Sequence, residues 1–257
     1  MRAAPILLAV MTLAPVAAAA QEAPPSAAAD TTATTAADPG LFRKLFVTLA
    51  RDVKRLPAKE NLPILVNGSV LAVAALPFDR ITTKGASSSK VLKASFAGFG
   101  KAIGREWVQG GSALAGYVAG RVWDKPRLAQ ASGDLIEAQI VSLAVTQGMK
   151  FVVSRTRPDG EARSFPSGHA SAAFATASTL QRHFGRKAAI PAYAIALYTS
   201  VSRLQANSHY ASDVIAGAAI GIAVGRTATI ELGRHRLHLA PAVVPGGFAV
   251  VVFAKRD

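Results

Sequence analysis

The sequence predicts an all-α protein, a single helical bundle that ends in a short β-hairpin. Three observations predict this. Apolar, Ala-rich stretches bounded by charge or glycine recur between Leu62 and Val224. The end of the chain changes to short β-branched runs on either side of Pro245-Gly246-Gly247. The length, 257 residues, suffices for one sizeable helical core and not comfortably for two. There is no cysteine, so packing must hold the fold, and the lipid attachment of a bacterial lipoprotein is excluded.

Residues 1–20 carry one charge at Arg2, an apolar stretch from Ala3 to Val16, and small residues at Ala18 and Ala20 ahead of Gln21, the pattern of a cleavable export signal. Residues 21–40 are Ala, Thr and Pro with almost no large apolar side chain, which predicts a disordered linker. The domain proper is expected over 41–257. It opens with a basic amphipathic helix in which Leu41, Leu45, Leu49, Val53 and Leu56 share helical spacing, a segment suited equally to an anionic membrane surface or to water. Helices are then expected over Leu62–Phe78, Ser112–Ala119, Ile136–Met149, Ala170–Leu180, Ala188–Ser202 and Val214–Val224. None of these runs reaches the uninterrupted twenty or so apolar residues of a clear transmembrane helix. A bundle with its polar groups turned inward can still sit in a bilayer, so membrane association stays open. The hairpin is expected over about 236–254.

Lys and Arg outnumber Asp and Glu by 29 to 15, and by 28 to 12 beyond residue 40. The excess favours anionic partners: phosphate-bearing substrates, acidic lipid or nucleic acid.

The residues that choose among them lie between Lys150 and Asp213, in three groups. Lys150 and Arg157-Pro158 close the Ile136 helix, where basic residues and a terminating proline are also ordinary punctuation. Pro166-Ser167-Gly168-His169 stands directly before the Ala170 helix, so Ser167 can cap it and the first-turn N–H groups form an anion site. Ser202-Arg203 and His209 to Asp213 make up the third group. With a helix opening at or just before His209, the carboxylate four residues on can hold the imidazole. The helices before and after Gly185 form an antiparallel pair of about 24 Å each at 1.5 Å per residue, which returns the chain so that His169 and Arg203 emerge at one end. Lys150 and Arg157 reach the same end through the loop 159–165. One pocket then collects three cations, two histidines, an aspartate and a helix N-terminus. That is an inventory for phosphoryl transfer, in which one histidine attacks phosphorus and the other protonates the departing oxygen.

Lys-x6-Arg-Pro, Pro-Ser-Gly-His and Ser-Arg-x5-His-x3-Asp, in this order, resemble the signature of the type 2 phosphatidic acid phosphatase and vanadium haloperoxidase superfamily. The match holds at every signature position and covers about 65 residues directly. The resemblance implies the family's all-helical bundle, with His209 as nucleophile, Asp213 as its orienting partner, His169 as general acid, and Lys150, Arg157, Ser167, Gly168 and Arg203 as the phosphate pocket. It implies a phosphatase acting on phosphate monoesters or diphosphates, either lipids such as phosphatidate or an isoprenoid diphosphate, or soluble esters. The enzyme is expected in the periplasm or on a membrane with its site facing the periplasm. No cofactor is expected: Asp159, Glu161 and Asp213 are too few carboxylates for a two-metal site, and three fixed cations stand in for the ions. Two alternatives use the same residues differently. A haloperoxidase holding vanadate belongs to a branch whose members are usually much longer, and a non-enzymatic binder of acidic lipid or nucleic acid leaves the motif set unexplained; no nucleic-acid partner is expected. Arg155, His183, His235 and His238 match no signature position and read as surface residues.

Overall fold

The computed structural model describes residues 47, 50, 51, 53–89, 94–227, 235–244 and 247–256. Residues 1–40, on which the leader and linker fall, lie outside that set. So does much of the amphipathic segment, whose described residues 47, 50, 51 and 53–55 are helical. The helical unit runs α1 (Leu62–Ala75), a 3-10 turn (Leu76–Phe78), α2 (Asp79–Ser87), α3 (Ala94–Ile103), α4 (Glu106–Val122), α5 (Pro126–Val153), α6 (Gly168–Phe184), α7 (Arg186–Gln205) and α8 (Ala211–Thr227). In the other unit, β1 (His235–Val244) and β2 (Gly247–Arg256) pair antiparallel, from His235 opposite Arg256 to Val244 opposite Gly247.

α6 is the central helix, packed on α5, α7 and α8. Its sequence explains how it can take so many neighbours, because Ala170, Ser171, Ala172, Ala173, Ala175 and Ala177 are all buried and small. α8 matches it with glycines spaced by four. A Cβ on Gly217, Gly221 or Gly225 would fall 2.4, 2.2 and 2.5 Å from the carbonyl oxygens of Ser167, Ser171 and Ala175. The two backbones therefore touch, a small-residue approach that larger side chains would forbid. On the other side of α8, Gly68 lets α1 approach Ala219 equally closely.

α5 is longer than its apolar run predicts, because polar residues interrupt the run without breaking the helix. Asp134, Gln139, Ser142, Thr146 and Lys150 are buried. Gln139 donates to the Ala172 carbonyl at 3.1 Å and to Thr176 at 2.9 Å, and Ser142 bonds Ser171 at 2.7 Å. Meanwhile Ile140, Leu143, Phe151 and Val152 are exposed. The helix thus buries polar residues beside Ala138 and Val141 while several of its large apolar side chains face outward. Two segments, Leu62–Ser87 and Pro126–Val153, are long and apolar enough to cross a membrane. Judged by uninterrupted apolar runs, the sequence shows no such segment. α2, short and polar, and α3, short and interrupted by Gly98, Gly100 and Lys101, were not expected at all.

Candidate active site

α5 ends at Ser154, whose left-handed backbone (φ 45°) stops the helix and releases the chain into the loop toward Pro166. Lys150, in the last turn, binds that loop: Nζ donates to the Arg163 carbonyl at 2.7 Å and the Ser164 carbonyl at 3.4 Å. Arg157 pairs with Glu161 at 2.9 Å within the loop. Ser167 caps α6 by accepting the Ala170 N–H at 3.4 Å, and its own N–H donates to the Asp213 carbonyl at 2.9 Å. The cap of α6 is thereby fastened to the first turn of α8. The N–H groups of Gly168 and His169, in the first turn of α6, have no intrahelical carbonyl to pair with. α7 brings Arg203, buried, to the same end.

The structure gathers the signature residues at one end of the bundle. Three of their buried nitrogens, Arg157 Nε, His169 Nε2 and Arg203 Nε, have no hydrogen-bond partner among the described residues. Buried nitrogens of this kind are rare unless a ligand completes them. Crowding of like charge is felt by each group. Burial, together with Arg203, His209, Lys101 and Arg105, lowers the His169 imidazole to about 3. Burial lowers His209 as well; Lys150 and Arg157 add to this, and Asp213 opposes it. Asp213 is fully buried, which would raise it, yet contacts from His209, Ser164, the Tyr210 N–H and Arg155 outweigh burial and hold it below the usual carboxylate range.

α8 opens at Ala211, so His209 sits in the loop before the helix and not on its face as expected. The four-residue spacing still works, because the loop turns back over the first turn. His209 Nδ1 lies 3.7 Å from Asp213 Oδ2 and 3.5 Å from Ser164 Oγ, which leaves Nε2 as the nitrogen that faces neither. Ser164, fully buried and hydrogen-bonded to Asp213 Oδ2, was missed in the sequence, where one more serine in a loop carries no spacing signal.

Arg155 also requires correction. It is no free surface residue: Nη1 donates to Asp213 Oδ1 at 2.8 Å and Ser212 Oγ at 2.7 Å, and Nη2 to Asp79 Oδ2 at 2.7 Å. Its guanidinium lies 4.2 Å from the centre of the Tyr210 ring. His183 is likewise tied down, 2.8 Å from Asp134 at the far end of α6. Of His235 and His238, only the backbone in β1 is described.

Residues 132–234 match the PAP2 superfamily. The segment that carries the candidate site resembles the PAP2 superfamily. A lipid A 1-phosphatase of Porphyromonas gingivalis is 39% identical over 101 residues, which are 36% of this chain and 23% of that protein. A lipid A 4'-phosphatase of Helicobacter pylori is 32% identical over 100 residues, 34% of this chain and 50% of that protein. The chain thus spans half or less of the length of these PAP2 relatives. Among solved structures, Aquifex aeolicus LpxE is similar at 22% identity and a TM-score of 0.48, over 59% of this chain and 92% of that one. The first transmembrane PAP2 type phosphatidylglycerolphosphate phosphatase from Bacillus subtilis is similar at 20% identity and a TM-score of 0.28, over 60% of this chain and 92% of that one. The PAP2 match includes Lys150 to Asp213 entire and leaves out Asp79, the partner of Arg155.

Proposed function

We propose that this protein is a metal-independent phosphatase that removes the phosphate of a lipid phosphate monoester through a phosphohistidine on His209. One observation carries the reading: unpaired buried nitrogens of Arg157, His169 and Arg203 stand beside an imidazole whose Nδ1 faces Asp213. Lys150, Arg157, Arg203 and the N–H groups of Gly168 and His169 hold the phosphate oxygens, with Ser167 fixing the turn. Nε2 of His209 attacks phosphorus as the ester oxygen leaves with a proton from His169. Water then takes the phosphoryl group from His209, with His169 accepting its proton.

A lipid substrate is favoured by the lipid A phosphatases among the relatives and by the outward apolar faces of α1 and α5. We take residues 1–20 as an export signal and 21–40 as a linker, with the site in the periplasm. The test is rapid quenching with labelled phosphatidate and phosphorylated lipid A. Acid-labile phosphate is expected on the wild-type protein and none on His209→Ala, with turnover insensitive to EDTA and inhibited by vanadate. Loss of activity on chelation and its return with magnesium would refute the metal-free reading.

A further inference from the structure

Buried Asp79 and half-buried Arg155 form a chain of contacts behind the nucleophile, which the phosphoryl-transfer reading does not use. Asp79 begins α2, is buried, and spends both oxygens on the catalytic loop: Oδ1 accepts the Ser212 N–H at 2.9 Å, and Oδ2 accepts Ser212 Oγ at 2.6 Å and Arg155 Nη2 at 2.7 Å. Arg155 passes the connection to Asp213 Oδ1. Asp213 Oδ2, held by Ser164 Oγ and by the Tyr210 N–H at 2.8 Å, is the oxygen nearest His209. The planar guanidinium suits this task, because it presents several donors in one fixed plane and can hold two carboxylates at once. The Tyr210 ring against the guanidinium keeps that plane from turning.

We propose that Arg155, anchored by Asp79, is a positioning residue for His209. It fixes the Asp213 carboxylate so that Oδ2 faces Nδ1 and Nε2 is presented to phosphorus, and it occupies enough of the Asp213 charge to keep the imidazole neutral. Charged groups face His209 from every side: Asp213 on α8, Lys150 on α5, Arg157 on the loop and His169 on α6. Among the described charged side chains, Arg155 is the one that acts on it by way of Asp213. A cation bonded to Asp213 weakens the pull of that carboxylate on the His209 proton. Removing the cation therefore favours imidazolium, which cannot attack. The inference rests on His209 as the nucleophile.

The test uses the full chain with Arg155→Gln, Arg155→Lys and Asp79→Asn. Arg155→Gln is expected to lower kcat roughly ten- to a hundredfold, the usual scale for an orienting partner one step from the reacting group, with KM changed less than about threefold. The acid limb of its kcat profile should move to higher pH. Asp79→Asn removes the anchor but keeps the cation, so it should lower kcat without moving the limb to higher pH, and Arg155→Lys should restore part of kcat. Stabilisation by orthovanadate, read as a shift in Tm, should persist in all three and shows that fold and phosphate pocket are intact. An unmoved acid limb in Arg155→Gln overturns the proposal, as does a change confined to KM, which would make Arg155 a direct phosphate ligand. Loss of vanadate stabilisation in Asp79→Asn and Arg155→Lys together also overturns it, since the pair would then only hold the fold. Phosphate trapping separates the two readings. Phosphoenzyme in the wild type with an unmoved limb refutes Arg155 alone, and a moved limb with no phosphoenzyme refutes the nucleophile while supporting Arg155 as the residue that tunes His209.

Discussion

His169 raises a question of protons. A general acid must carry one, yet burial and the surrounding cations hold His169 down to about 3, so its ring is neutral near pH 7. The physical resolution is that the substrate brings the proton. A phosphate monoanion beside neutral imidazole and a dianion beside imidazolium are one protonation state of the pair. The dianion also cancels the positive field that depresses the ring. kcat/KM for an alkyl phosphate should therefore follow the second ionisation of the substrate, near pH 6. Above it the rate should fall about tenfold per pH unit. A fluorinated alkyl phosphate, being more acidic, should move the break downward by its own pKa difference. A break at one fixed pH for both substrates would show instead that an enzyme group supplies the proton. At this scale the sequence was informative wherever a role is tied to local spacing: Lys150, Arg157, Ser167 to His169, Arg203, His209 and Asp213 all come together. It was silent on Arg155 and Ser164, whose significance depends on partners 76 and 49 positions away.

Between elements, the site depends on how closely α6 and α8 approach. Ser167 caps α6 and bonds the first turn of α8, so any separation of the helices moves the phosphate-binding turn away from Asp213. Gly221→Ala would put a methyl carbon 2.2 Å from the Ser171 carbonyl oxygen and 2.9 Å from the Ala175 nitrogen. Backbone atoms inside two packed helices cannot give way individually, and overpacking of this kind costs about 1–3 kcal/mol or more. We expect Gly221→Ala to lower Tm clearly and Gly217→Ala, next to Ser167 itself, to lose activity beyond what its stability explains. Gly148→Ala on α5, where nothing lies within 4 Å, is the control and should gain about 0.5–1 kcal/mol from helix propensity. A wild-type Tm in Gly221→Ala would show that the two backbones are not in contact. The existence of α1 and α4 to α8 was legible, because Ala-rich runs ending in glycine, proline or charge mark helices. The length of α5 was not legible, because its first turns carry Arg127, Gln130, Ser132 and Asp134, which read as the end of an apolar run although Ser132 and Asp134 face protein in the fold.

For the whole molecule, the question is what covers its outer face. A water-soluble bundle places its polar side chains outside; here α5 does the reverse, with Ser142 and Thr146 at 2% and 1% exposure and Phe151 and Val152 at 61% and 86%. α1 also leaves Val70, Leu71 and Val73 exposed. Contiguous exposed apolar surface on this scale is unfavourable in water and favourable against lipid. The net charge of +14 offers a competing route to the same membrane, attraction to anionic headgroups, and the two differ in their response to salt. Screening at 1 M shortens the reach of charge to about 3 Å, whereas burial of apolar side chains in hydrocarbon is not weakened by salt. We therefore expect the protein to sediment with membranes, to stay there through a wash in 1 M sodium chloride, and to be released by a non-ionic detergent. Val70→Lys with Val73→Lys sharpens the comparison. In water the two lysines would be solvated and harmless, but at mid-bilayer depth each costs about 2.5–3.5 kcal/mol. Membrane insertion then predicts that the double variant is depleted from the membrane fraction, while attraction by charge predicts tighter binding from two added cations. Release of the wild-type protein by salt alone, or enrichment of the double variant on the membrane, would show that headgroup charge and not the apolar faces of α1 and α5 holds it there.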